Sequence, residues 1–159
     1  MIFIYLHKTN VMSNKPIYIM LADDDESDRM NFREALEEGK LKTTVVSVND
    51  GVELMEYLMK DDTQLPTILF LDLNMPRKNG LECLIEIRKT DKLREMVVAI
   101  YSTSSSERDI EHTFNSGANV YIQKPNNFAK LKSVLNEIVM YVNLYRDPPF
   151  NLDNFLLKI

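Results

Sequence analysis

Aspartates end two of the apolar runs in this chain, and a serine and a lysine end two more. Ile17–Ala22 runs into Asp23-Asp24-Asp25-Glu26, and Thr67–Leu71 into Asp72-Leu73-Asn74-Met75-Pro76. Val97–Tyr101 stops at Ser102, and Val120–Gln123 stops at Lys124-Pro125. Carboxylates, a hydroxyl and an ammonium are the parts that a metal-assisted aspartyl phosphate requires.

Asp72 is the candidate nucleophile, because a carboxylate can attack a phosphoryl group and hold it as an acyl phosphate. The plain alternative is a turn aspartate after a buried strand. Asp23, Asp24 and Asp25 cannot all point one way. Asp24 directly and Asp23 through water are the expected metal ligands, while Asp25 caps the first helix. Carboxylates about 5 Å apart repel by roughly 3 kcal/mol per pair at an effective dielectric of 20. Such a cluster invites a hard cation with oxygen ligands, and Mg²⁺ fits because it keeps several waters. The alternative is a solvated acidic start to a helix, favoured by its dipole.

Lys124 precedes a proline, so its backbone is extended and its ammonium continues the strand. It is expected to pair with Asp72 at rest and with a phosphoryl oxygen afterwards; a cis Lys124–Pro125 bond would aim it more sharply. Ser102 can hydrogen-bond a phosphoryl oxygen, or simply cap.

To hold these residues in place, five β-rich runs alternate with helix-period segments. Helices are expected over Ser27–Glu38, from Val52 to near Lys60, after Asn79-Gly80, from Ser104-Ser105-Ser106-Glu107 to Asn115, and over Phe128–Val142. The fourth is the least anchored, with Ile110 and Phe114 as its chief apolar residues. Alternation of this kind implies right-handed crossovers and a parallel sheet covered on both faces. Ligands then bind beyond the carboxyl ends of the strands. The four runs therefore deliver their polar residues to one rim.

Composition narrows the function. At 159 residues the chain suits one domain, and a net charge of -5 argues against nucleic-acid binding. A lone Cys83 excludes an internal disulfide and reads as a buried, inert thiol. No run approaches the roughly 20 apolar residues of a spanning helix. Residues 1–14 read as an extension, 15–143 as the domain and 144–159 as a tail. The expected location is the cytoplasm.

In order and placement, Leu21-Ala22-Asp23-Asp24-Asp25, Leu71-Asp72-Leu73-Asn74-Met75-Pro76 with Asn79-Gly80, Ser102-Thr103 and Lys124-Pro125 resemble the receiver domains of bacterial two-component response regulators, of the chemotaxis-type, single-domain kind. The resemblance covers about residues 15 to 143. It implies a flavodoxin-like, doubly wound (βα)5 α/β fold with a five-stranded parallel sheet in the order 2-1-3-4-5. It implies that a sensor histidine kinase phosphorylates Asp72. Asp23, Asp24, Asp72 and the backbone carbonyl of Asn74 would hold Mg²⁺, and Ser102 and Lys124 would bind phosphoryl oxygens. Tyr121 matches an aromatic switch position. Ser102 departs from the more usual threonine, and Asn74 and Ser104 stand where the family tunes hydrolysis.

The resemblance thus implies a phosphoacceptor rather than an enzyme, switching contacts with a downstream protein. The surface of the fourth helix, fifth strand and fifth helix is the expected output face and the place for a homodimer; neither nucleic acid nor membrane is expected as a partner. Two other classes stay open: an aspartate-nucleophile phosphatase, disfavoured by Asn74 where a second acid belongs, and a phosphorylation-independent interaction module. In the tail, Leu152, Phe155, Leu156 and Ile159 could line one face of a short helix. Two such turns need a surface to lie on.

Overall fold

The structure, a computed structural model, describes residues 15–144 and 156–157. Strands β1 (Ile17–Ala22), β2 (Thr43–Val48), β3 (Ile68–Leu71), β4 (Val98–Ser102) and β5 (Val120–Gln123) alternate with helices α1 (Glu26–Glu37), α2 (Gly51–Met59), α3 (Gly80–Lys89), α4 (Glu107–Asn115) and α5 (Phe128–Leu144). All strand pairings are parallel, in the expected order β2-β1-β3-β4-β5. A short strand β6 (Leu156–Leu157) extends the sheet beyond β5. Tyr121 is in register with Leu156, and Ile122 with Leu157.

That last strand corrects the helical expectation for the tail. Leu156 and Leu157 are extended and laddered to β5, not helical, because an open strand edge offers unpaired amides that no isolated helix turn can match. The other stripe positions, Leu152, Phe155 and Ile159, and the extension of residues 1–14, lie outside the described residues.

Alternation along the strands builds two cores. Met20, Ala22, Leu69, Leu71 and Ile100 face α2 and α3 through Leu54, Leu58, Cys83, Leu84 and Ile87. Ile19, Leu21, Phe70 and Tyr101 face α1 and α5 through Phe32, Leu36, Leu135 and Val139. Near-continuous apolar runs are what strands buried on both faces require. As its composition implied, α4 is thinly anchored: Thr113 is its one buried residue, with Ile110 and Phe114 half-buried.

Local chemistry sets where helices begin, and so where the rim loops end. Asp25 caps α1 by accepting from Asp28 N–H, and Asp50 caps α2 by accepting from Val52 and Glu53. Asn79 and Glu82 exchange bonds in a capping box at α3, and Ser106 caps α4. Gly80 is required for a second reason. A Cβ there would collide with the Asp72 carbonyl, so only glycine lets α3 start against the β3 loop.

Candidate functional site

Backbone bonds carry the rim residues past the ends of the strands. Asp23 N–H donates to Val48 O at 3.1 Å and Asp72 N–H to Ala22 O at 2.9 Å. Lys124 N–H donates to Ser102 O at 2.7 Å, tying the β5 exit to the end of β4. The sheet order thus brings the acids of β1 and β3 beside the lysine of β5.

Asp23, Asp24 and Asp72 each offer a carboxylate oxygen, and these oxygens all lie within 4.8 Å of one another. Asp23 and Asp72 are buried, whereas Asp24 is exposed. Asp23 is already engaged on both sides: Oδ1 accepts from Asp25 N–H at 2.9 Å and Oδ2 from Lys124 Nζ at 2.7 Å. Asp72 is held less closely, its Oδ1 3.4 Å from Asn74 N–H and its Oδ2 3.5 Å from Lys124 Nζ. Oxygen-only donors of this charge suit a hard divalent cation.

Lys124 pairs with Asp72, but two other carboxylates hold it more closely. Its ammonium lies 3.5 Å from Asp72 Oδ2, yet 2.7 Å from Asp23 Oδ2 and 2.8 Å from Asp28 Oδ2. It also sits 5.1 Å from the centre of the Tyr101 ring, whose face adds attraction for a cation. The Lys124–Pro125 bond is trans, as no cis peptide occurs among the described residues.

Burial and charge set the protonation of these groups. Burial pushes the Asp72 carboxyl up to about 6; Lys124 pulls it back, and Asp23 raises it further. Asp23 is raised by burial too, against its bonds from Lys124 and Asp25. Burial works against the Lys124 ammonium, but its bonds to Asp23 and Asp28 and the charge of Asp72 outweigh that, so it is held above the ordinary lysine value. Lys124 stays charged, and Asp72 is ionised at neutral pH while remaining near its titration range.

Around this centre the remaining predicted residues take distinct places. Ser102 is buried at the end of β4, and its Oγ accepts from Ser104 N–H at 3.2 Å. Tyr121 is fully buried, its hydroxyl donating to Ser104 O at 2.9 Å. Ser104 Oγ donates to Asp109 on α4 at 2.5 Å, so the β4–α4 loop links Ser102, Tyr121 and α4. Asn74 is exposed, and its N–H approaches Asp72 Oδ1 at 3.4 Å. Cys83 lies off the site; its thiol donates to Gly51 O, and burial pushes it up to about 12.

Two contributors escape a reading of the sequence alone. Asp28 joins Lys124 from the first turn of α1; its four-residue spacing from Asp24 is the available signal. Asp50 accepts from Arg77 at 2.8 and 3.0 Å, clamping the β3–α3 loop to the start of α2. Arg77 adopts φ 64°, a left-handed backbone that is uncommon outside glycine. No sequence pattern announces that pair.

Comparisons with known proteins bear on the family and the fold. The family model for the response regulator receiver domain matches residues 19–136. Response regulator Rcp1 of Synechocystis sp. is 28% identical over 130 residues, which is 79% of this chain and 88% of that protein. The crystal structure of the phosphorylated cyanobacterial phytochrome response regulator RcpA superposes with a TM-score of 0.74 at 34% identity, covering 80% of this chain and 94% of that one. The Mn(2+)-bound form of Rcp1 gives a TM-score of 0.71 at 28% identity, over 77% and 91% of the two chains.

Proposed function

The chain belongs to the response regulator receiver domain family, and on that premise we propose that Asp72 accepts a phosphoryl group from a sensor histidine kinase. As a receiver domain it is the response-regulator part of two-component signalling, and receiver domains bind a divalent metal at an acidic pocket. The residues of this chain fit Mg²⁺: Asp24 and Asp72 would hold it directly with the Asn74 backbone carbonyl, and Asp23 through water. When bound, that ion would offset the charge that gathers on the phosphoryl oxygens.

The chain's own residues do the rest. An ionised Asp72 Oδ attacks phosphorus in line while the phosphohistidine N–P bond breaks, leaving an acyl phosphate and a free imidazole. Because its carboxyl titrates at about 6, most of Asp72 is ready to attack above neutral pH. Lys124 would move from the α1 side to a phosphoryl oxygen, and Ser102 would turn its hydroxyl from the Ser104 amide to another. That rotation disturbs the Ser104 carbonyl that Tyr121 bonds and the Ser104–Asp109 bond that reaches α4. The output is a change in protein contacts at α4, β5 and α5, where a downstream protein or a second copy would bind. β6 sits on the edge of β5, so a partner reading that face meets β6 as well. This role is that of a cytoplasmic phosphoacceptor, with at most slow loss of its own phosphate.

The observation that carries this function is the trio of carboxylates with Lys124 3.5 Å from Asp72. Intact-mass detection after incubation with Mg²⁺ and acetyl phosphate tests it. The wild type should gain one phosphoryl group and Asp72→Ala none; equal labelling of both, or of neither, removes Asp72 from the role. Repeated turnover of a chromogenic phosphoester would favour a phosphatase instead.

A further inference from the structure

Asp28 lies outside every motif that marks the site, yet it bonds Lys124 as tightly as Asp23 does. Its Oδ2 is 2.8 Å from Lys124 Nζ, against 2.7 Å for Asp23 and 3.5 Å for Asp72. An ammonium has three protons to give. Two go to carboxylates on the α1 side, and the candidate nucleophile receives the longest contact. The Lys124 side chain is 8% exposed, whereas that of Asp28 is 36% exposed and has room to swing. Arg29 brings a further positive charge close by, its Nη1 donating to the Asp23 backbone carbonyl at 2.7 Å, but it is Lys124 that the Asp28 carboxylate bonds.

We propose that Asp28 is a positioning residue that holds the Lys124 ammonium toward α1 and so divides it between the resting carboxylates and an arriving phosphoryl group. The inference rests on the phosphoacceptor reading and deepens it. Asp28 acts in two ways that share one sign. Its negative charge favours a divalent cation nearby and opposes a doubly charged phosphoryl group. Its bond to Lys124 also competes with the phosphoryl oxygens for the same protons.

Removing that charge should therefore move two affinities in opposite directions. A purely structural role would weaken both together. The test uses the full chain as wild type, Asp28→Asn and Asp28→Glu. Calorimetry reads Mg²⁺ binding, and a second titration reads beryllofluoride binding at saturating Mg²⁺. In Asp28→Asn, Mg²⁺ should bind about threefold or more weakly and beryllofluoride about threefold or more tightly. Asp28→Glu keeps the charge and should stay within about twofold of wild type in both. Thermal unfolding of each variant confirms that folded protein is compared.

Both affinities unchanged in Asp28→Asn, or both weakened, would overturn the proposal while leaving Asp72 as phosphoacceptor. A wild type that binds neither Mg²⁺ nor beryllofluoride would sink the phosphoacceptor reading, and this inference with it.

Discussion

Two cations join separate segments of this sheet, one at each end, and they are treated oppositely. Beneath the amino ends of β4 and β5, Arg88 donates to Gly117 O at 2.8 Å, Arg94 O at 3.0 Å, Met96 O at 2.8 Å and Asn119 Oδ1 at 2.9 Å. All four acceptors are neutral, and three are backbone carbonyls, so the guanidinium acts as a staple with one arrangement. At the opposite rim Lys124 faces three carboxylates and bonds them unequally. Neutral acceptors in fixed places give rigidity; an excess of charged, unequal acceptors gives a cation that can be redistributed. The same fold thus keeps a static tie far from the one proposed to switch.

The contrast is open to direct attack. The greatest change should be functional: Lys124→Ala should cut phosphoryl labelling from acetyl phosphate by about 10²-fold, the scale of losing one preorganised charge stabiliser. Arg88→Ala, measured alongside, should label within about twofold of wild type. If the arginine variant loses labelling as fully as the lysine variant, the division of labour is wrong.

Stability should show the reverse. Arg88→Ala removes four hydrogen bonds at once, leaves the part-buried Met96 carbonyl without that donor and should cost about 3 kcal/mol in urea unfolding. Arg88→Lys should recover little of this, because one ammonium cannot span acceptors that a planar fork reaches together.

A lesser effect probes the rim side. Asp72 titrates at about 6 in the folded chain against an ordinary 3.8, so the folded state holds its proton more tightly. The stability linked to that proton is complete below about pH 4 and is lost as pH rises through about 6. Asp72→Asn removes this loss. Without divalent cations it should be more stable than wild type by up to about 3 kcal/mol above neutral pH. The gap should close below about pH 4. A constant difference across that range would show that Asp72 titrates normally.

Least should change at the clamp beside the site. Arg77→Gly loses the bonds to Asp50 but relieves the left-handed backbone, so unfolding in urea should shift by less than about 1 kcal/mol. A loss well beyond that would make the clamp a second staple.

Much of this was legible in the chain itself. Apolar runs buried on both faces end sharply at charge, so β1, β3, β4 and β5 and their terminal Asp23, Asp72, Ser102 and Lys124 could be read before any coordinates. The Asn79-Gly80 turn, Gly39 and the Ser104-Ser105-Ser106-Glu107 tract marked helix ends, although only the coordinates single out Asn79 and Ser106 as the caps. What escaped depended on distance in space. Asp28 looks like any acid in the first turn of a helix until β5 brings Lys124 to it. The Asp50–Arg77 pair joins residues 27 positions apart. Leu156-Leu157 carries an apolar pattern compatible with a helix, and only the open edge of β5 selects the extended form.

That edge has a practical consequence. A parallel strand runs toward the same rim as its neighbours, and Leu157, in register with Ile122, is the end of β6 on the Lys124 side. A fluorescent reporter or bead tethered there would load the two-residue β6 first and tug on the strand that carries Tyr121. The exposed Asp61-Asp62 turn between α2 and β3, at the far end of the sheet, is the quieter handle.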